Sequence, residues 1–217
     1  MNYPWKNAII NFVKNKNADD FTLEILKLVE NYPRPALDTV MNLLGSHDTE
    51  RVLTMLAFDN PEDVPVHERP TYKMSKEQYD KAKNLLKFAS FIQFTLPGVP
   101  CIYYGDEIGM YGFRDPYNRL GFTHDNKDED LLTHYIKLSN FRNENKDDFI
   151  TNFEFIYSNK KCIAYQRNNI LCIINLDSKA HFIENYCGEK VFGNNDIYST
   201  PYGTVIDPNS YVAIKIT

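Results

Sequence analysis

Three short stretches of this 217-residue chain hold side chains able to do chemistry. In Asn42-Leu43-Leu44-Gly45-Ser46-His47-Asp48-Thr49-Glu50-Arg51, an apolar run ends in Gly-Ser and then presents an imidazole and a carboxylate. Such groups hydrogen-bond neighbouring hydroxyls, and the C-terminal ends of strands are where α/β barrels release catalytic side chains into a cleft. The other reading makes Asp48 the cap of a helix formed by the apolar residues that follow. A second apolar run, Gly98-Val99-Pro100-Cys101-Ile102-Tyr103-Tyr104-Gly105, delivers Asp106 and Glu107. Paired carboxylates can share acid–base work, or one can close a turn while the other makes a structural ion pair. In Arg114-Asp115-Pro116-Tyr117-Asn118-Arg119, Asp115 and Arg119 stand four apart, so a compact turn brings them together. Together they grip polar hydroxyls, or they form a surface salt bridge of small energetic value. Spacing alone leaves all three choices open.

These stretches must be positioned by the elements around them. Up to about residue 147 the pattern alternates helices with short apolar strands. Trp5–Val13 and Ala18–Glu30 carry helical spacing, the second with Phe21, Ile25, Leu28 and Val29 on one stripe. Asn31-Tyr32-Pro33-Arg34-Pro35 stops that helix, because proline cannot continue it. Thr39–Leu44 is a strand-like run that ends at Gly45. Residues 58–72 form a loop rich in proline and acidic residues. Ser75-Lys76-Glu77-Gln78 is a capping-box pattern, and the helix it opens carries Leu85, Ala89, Ile92 and Leu96. Pro97-Gly98 ends that helix, and Val99–Tyr104 is the next strand. Residues 128–143 form another helix, with Leu131, Tyr135 and Leu138 on one face. Beyond residue 148 helical spacing gives way to β-forming runs at Phe149–Tyr157, Cys162–Gln166, Ile170–Leu176 and Tyr211–Ile216, with turns at 158–160 and 168–169. Strand–helix alternation followed by strands means an α/β unit over 1–147 and a small all-β domain over 148–217.

Composition narrows the function classes. Lys plus Arg is 24 against 29 for Asp plus Glu, a formal charge of -5, which argues against a nucleic-acid partner because such binding needs a basic face. No apolar run is long enough for a membrane span. The four cysteines, Cys101, Cys162, Cys172 and Cys187, form no C-x-x-C pair and lie mostly in apolar stretches, which favours reduced thiols, a cytoplasmic setting and no metal site. None of the five histidines shows metal-ligand spacing. Phosphate-binding glycine loops and a nucleophile elbow are absent. Aromatic residues make 14% of the chain, with 15 Tyr and 14 Phe, a surplus that serves the core first and ring-stacking surfaces second.

Taken together, the stretches resemble the α-amylase superfamily, glycoside hydrolase family 13, in its neopullulanase and cyclomaltodextrinase branch. NLLGSHDTERVLT looks like that branch's fourth conserved region. FTLPGVPCIYYGDEIGMYG followed by DPYNR looks like the eighth barrel strand and the loop after it. MNYPWKNAI, ENYPRPAL and HYIKLSNFRNEN match in order and spacing. The resemblance covers residues 1–147, and the β-rich tail resembles, more loosely, the β-sandwich that follows the barrel in this family.

The resemblance implies an α/β fold: the C-terminal part of a (β/α)8 TIM barrel followed by a small all-β sandwich. It also implies retaining hydrolysis of α-1,4 and in some members α-1,6 glucosidic bonds, with a nucleophilic Asp and an acid/base Glu. Asp48 matches the third carboxylate, which stabilises the transition state through the sugar's 2- and 3-hydroxyls. His47 matches the histidine on the same sugar. Asp115 and Arg119 match the pair that holds the non-reducing side of the glucan. Asp106 and Glu107 match a Gly-Asp-Glu that serves as scaffold. Two departures stand out. After Arg119 the family's Pro-aromatic-Pro-Trp type segment is replaced by Leu120-Gly121-Phe122-Thr123-His124. The G-F-R-x-D segment that carries the nucleophile, and the following strand with the acid/base Glu, are not in these 217 residues, and Met1 matches an internal Met at the end of the family's sixth strand. The expectation is a chain inactive alone, as the C-terminal piece of a longer hydrolase or as half of a split one, with a non-catalytic maltodextrin-binding protein as the alternative. Its partner is an α-glucan oligosaccharide: maltodextrin, cyclodextrin or pullulan. No cofactor is expected in this chain. Calcium and a homodimer stay open for the full-length protein.

Overall fold

The computed structural model describes every residue except Asn126, Thr151 and Thr217. The helix α1 (Tyr3–Asn15) begins where the Asn2 side chain accepts the Trp5 N–H at 3.3 Å, and Pro4 sits in the first turn, where its missing N–H costs nothing. Asn17 caps α2 (Ala18–Asn31) in the same way, accepting from Asp19 and Asp20. Phe21 and Ile25 are buried as their spacing predicts, with Leu28 and Val29 at the edge of the core. The prolines at 33 and 35 do more than stop α2. Pro35 falls in the first turn of a new short helix, α3 (Arg34–Thr39), the one helical position that tolerates it.

The strand β1 (Met41–Leu43), the helix α4 (Val52–Ala57), the long helix α5 (Lys76–Thr95) and the strand β2 (Val99–Cys101) follow in order. The capping box of α5 is complete: Ser75 Oγ accepts the Gln78 N–H at 3.1 Å, and Gln78 Oε1 accepts the Ser75 N–H at 3.0 Å. β1 and β2 pair in parallel, Met41 opposite Val99 and Leu43 opposite Cys101, and α5 lies in the connection that parallel pairing requires. Two short strands hold poorly by themselves, and side chains reinforce them. Asn42 Nδ2 donates to the Pro97 carbonyl at 2.6 Å, while Gln93 Nε2 donates to the carbonyls of Asn42 at 3.0 Å and Cys101 at 2.8 Å. Among the described residues, β1 and β2 pair only with each other. The helices α6 (Glu129–Glu144), capped by the Asp128 carboxylate, and α7 (Lys146–Phe149) complete this half.

From residue 154 onward the pairing is antiparallel. β3 (Glu154–Asn159), β4 (Cys162–Arg167) and β5 (Ile170–Asn175) are joined by tight turns in which Lys160 and Asn168 take positive φ. β6 (His181–Glu184), β7 (Gly188–Gly193), β8 (Tyr198–Thr200), β9 (Gly203–Ile206) and β10 (Ser210–Ile216) follow. They form a five-stranded sheet, β3-β4-β5-β10-β7, and a three-stranded sheet, β6-β9-β8. Strand alternation explains how the large sheet is buried on both faces. Cys162, Ala164, Leu171, Ile173, Val212 and Ile214 meet Ile183 and Ile206 of the small sheet. Ile163, Tyr165, Ile170, Cys172, Ile174, Tyr211 and Ala213 face the other way and join the helical core.

That seam uses much of the aromatic surplus. Phe91 of α5 stacks on Phe192 of β7 with centroids 5.8 Å apart and meets Tyr211 of β10 at 5.0 Å. Phe141 of α6 stacks on Phe192 at 5.1 Å. Polar groups in the seam are paired as well. The Tyr165 hydroxyl meets Thr95 Oγ1 at 2.5 Å, and Arg167 donates to the carbonyls of Thr95 and Phe149.

Candidate functional site

β1 runs into Leu44-Gly45-Ser46-His47-Asp48, and the chain stays buried through Ser46 before emerging at His47. A buried ion pair sets that path. Arg51 is fully buried against the touching rings of Tyr103 and Tyr104, its guanidinium 4.8 Å from each centroid. Its Nη1 donates to the Tyr104 carbonyl at 2.7 Å and to Asp106 Oδ1 at 3.4 Å. Burial alone would raise the Asp106 carboxyl, and the adjacent Arg51 guanidinium opposes this by favouring the charged form. Asp106 in turn fills the space beside Gly45, where a Cβ would stand 2.2 Å from its Oδ2. Asp106 therefore makes the structural ion pair that was one of the two readings of Asp106-Glu107, and it buttresses the backbone from which His47 and Asp48 project.

The loop is closed by its own side chains. Ser46 Oγ accepts the Asp48 N–H at 3.2 Å. His47 Nε2 lies 3.0 Å from Asp48 Oδ1, and the Tyr3 hydroxyl donates to Asp48 Oδ2 at 3.0 Å. Asp48 is half exposed. It does not cap α4, whose cap position is Arg51 and has no side-chain hydrogen bond. Lys6, one turn along α1 from Tyr3, donates to Thr49 Oγ1 at 3.2 Å, and burial lowers its ammonium to about 8.

Asp115 and Arg119 meet as their spacing predicts, Nε to Oδ1 at 3.0 Å, both well exposed. Between them Asn118 is fully buried, and its Nδ2 donates to the carbonyls of His47 at 2.9 Å and Thr49 at 2.7 Å. The Asp115–Arg119 turn is thus fastened directly to the His47–Asp48 loop, and all four predicted residues share one exposed surface. Glu107 stays partly buried, with one carboxylate oxygen out of solvent contact. Tyr104 stands at the same surface, its hydroxyl bonded to the Leu120 carbonyl at 2.8 Å.

Sequence reasoning passed over Tyr3, Lys6, Arg51 and Asn118 as site residues. All four lay within quoted motifs, but nothing in their spacing assigns a fixed partner 45, 43, 55 or 71 positions away. Among the described residues no group of three His, Cys, Asp or Glu could hold a metal ion, and no helix is long and apolar enough to cross a membrane.

The profile of the α-amylase catalytic domain matches residues 1–166. An amylopullulanase of Thermoanaerobacter thermohydrosulfuricus is 36% identical over 182 residues, which are 78% of this chain and 12% of that protein. A cyclomaltodextrinase of a Bacillus species is 34% identical over 191 residues, 83% of this chain and 30% of that protein. The debranching enzyme of Nostoc punctiforme superimposes with a TM-score of 0.77 at 18% identity, covering 99% of this chain and 47% of that one. The chain therefore spans less than half the length of each of these proteins. The structural likeness gives the fold as part of a TIM barrel followed by a β domain.

Proposed function

The chain belongs to the α-amylase family of glycoside hydrolases, and from that premise we propose that it is the C-terminal part of a retaining α-glucan hydrolase of the neopullulanase and cyclomaltodextrinase type. In this reading β1 and β2 are the last two strands of the (β/α)8 barrel, and the antiparallel sheets are the sandwich that follows it.

The observation that carries the reading is Asp48. It stands exposed just past the C-terminal end of a parallel strand, where barrel enzymes keep their chemistry. Tyr3 and His47 hold its two oxygens in place. Held in this way, the carboxylate can accept two adjacent sugar hydroxyls and bind them more tightly as the ring flattens towards an oxocarbenium ion. Interactions that strengthen in the transition state raise turnover rather than ground-state affinity. His47 hydrogen-bonds the same sugar, and Asp115 with Arg119 grips hydroxyls of the next. The nucleophilic Asp and the acid/base Glu come from polypeptide outside these 217 residues, in the same protein or in a partner chain. The substrate is a maltodextrin, a cyclodextrin or pullulan.

The test is complementation. The 217-residue chain alone should not hydrolyse pullulan, starch or cyclodextrins. Co-expressed with a polypeptide carrying the preceding barrel strands, it should. In that complex Asp48→Asn should lower kcat about a hundredfold or more, with a much smaller change in KM. Turnover by the pure chain, or an unchanged kcat in the variant, would overturn the reading.

A second reading has its own support. The four residues proposed to hold the sugar, His47, Asp48, Asp115 and Arg119, all lie in this chain on loops tied together by Asn118, which fits a protein that binds maltodextrin without cleaving it. Calorimetry with maltodextrin separates the two: binding that persists while every complemented form stays inactive favours the second.

A further inference from the structure

Not all of the aromatic surplus enters the core. The three-stranded sheet turns Ile183 and Ile206 towards the large sheet and presents its other face to solvent. On that outward face the register places Phe182 and Tyr198 on either side of Val205. The next outward row is Glu184, Gly203 and Thr200. A Cβ on Gly203 would come within 2.7 Å of Phe182 Cζ, so the Phe182 ring leans across the bare Gly203 backbone. Tyr202 sits in the turn between β8 and β9. Its N–H donates to Thr200 Oγ1 at 3.2 Å, and its carbonyl accepts from Asn185 at 2.8 Å, which holds the turn backbone. Phe182, Tyr198 and Tyr202 are 41%, 69% and 79% exposed.

Three exposed rings on one small sheet mark an interaction surface. Their free area is about 400 Å², half of the ~800 Å² per partner in a standard protein interface. A second copy of the chain would be poorly held by it. The two outward rows carry Glu184 and no Lys or Arg, so an anionic ligand is disfavoured. A sugar fits on both counts. A pyranose packs its apolar C–H face on a ring and offers edge hydroxyls to a carboxylate or a hydroxyl, here Glu184 and Thr200. Phe182 and Tyr198 are two strands apart, about 10 Å, so a ligand touching both is an oligosaccharide.

We propose that the outward face of β6-β9-β8, with Phe182 and Tyr198 as its rings and the exposed Tyr202 in the adjoining turn, is a second glucan-binding surface that holds an α-glucan chain without cleaving it. This rests on the reading that α-glucan is the ligand of the His47–Asp48 surface, and it adds an anchoring point on the other domain. Two linked sites on one polymer raise the effective concentration of each for the other.

The experiment uses the whole 217-residue chain, with electrophoresis through gels containing soluble starch and titration with maltoheptaose. The wild type should be retarded by starch. Tyr198→Ala with Tyr202→Ala should weaken binding roughly tenfold or more, and Phe182→Ala alone roughly threefold to tenfold. Tyr198→Lys, which keeps the surface covered without a ring, is the independent variant, and thermal melts check that each form folds. Asp115→Asn with Arg119→Gln should leave a residual retardation that the ring variants remove. If the ring variants bind like wild type, or the wild type is not retarded, the surface is overturned. It is equally overturned if sedimentation shows that the ring variants convert a dimer to monomer. Loss of binding in the ring variants with no effect of Asp115→Asn and Arg119→Gln would support the surface and remove the glucan grip assigned above.

Discussion

At the scale of single residues, the site depends on one missing side chain as much as on those present. Gly45 lets the Asp106 carboxylate lie against the backbone that leads to His47 and Asp48, and Asp106 is held there by Arg51, which packs against two tyrosine rings. A methyl group at position 45 must displace a buried carboxylate that has nowhere to go. Gly45→Ala should therefore cost about 1–3 kcal/mol, the usual range for overpacking, read from urea unfolding of the chain. A loss below 0.5 kcal/mol would mean that the loop yields easily. The exposure of His47 and Asp48 past a strand and the pairing of Asp115 with Arg119 were legible from polar types that follow an apolar run or stand four apart, while their roles toward a sugar come only from the resemblance. Arg51 was not legible, because a buried arginine and a surface arginine look alike until the two tyrosines it packs against are placed. Tyr3 was not, because its partner Asp48 is brought near only by packing α1 beside β1.

At the scale of elements, the seam between α5, α6 and β10 holds a titratable group with a calculable effect. His134 of α6 is buried, with Nε2 2.8 Å from Ser90 Oγ of α5 and Nδ1 3.4 Å from the Tyr211 hydroxyl of β10. Burial, helped by Lys87 and Lys137 and opposed by Asp130, lowers it to about 4. The folded value lies below the unfolded one of about 6.5, so the unfolded chain binds the proton first. The stabilising contribution is present above pH 6.5 and is lost as pH falls towards 4. His134→Gln removes this titration. The stability advantage of wild type over the variant should shrink by up to about 3 kcal/mol between pH 7 and pH 4; parallel pH curves would show that His134 is protonated in the fold. The long helices were legible here, α5 from its capping box and α6 from its Leu131, Tyr135 and Leu138 stripe. The short ones, α3 and α4, were hidden by prolines and by a run of six residues. β6, β8 and β9 were hidden because each has only three or four residues, and β7 because its Gly-Glu-Lys-Val-Phe-Gly shows no clean alternation.

At the scale of the whole molecule, the change from helices to strands was legible in the sequence, although α7 runs on to Phe149 and the first strand begins only at Glu154; the physical join between the two parts was not. The helical core and one face of the five-stranded sheet form a single apolar cluster that runs from Trp5 and Phe12 through Phe91 and Phe141 to Tyr165, Cys172 and Tyr211. Arg167 and Arg142 bind carbonyls at the C-terminal end of α5, and the Ala18 N–H donates to the Lys160 carbonyl at 2.7 Å. Removing either half would expose the inner face of the other, so neither half gains by unfolding alone, and the described chain should melt as one unit. Two probes placed in opposite halves test this. Trp5, the only tryptophan, is buried in α1 and reports the helical half by fluorescence. Cys162 and Cys172 lie buried on β4 and β5, and burial raises both thiols to about 12, so they react with thiol reagents only when the sheets open. The urea midpoints for Trp5 fluorescence and for labelling of these two cysteines should coincide. Thiols that open at a clearly lower urea concentration than Trp5 would show instead that the sheets come off an intact helical half, and that the shared aromatic seam contributes less than its extent implies.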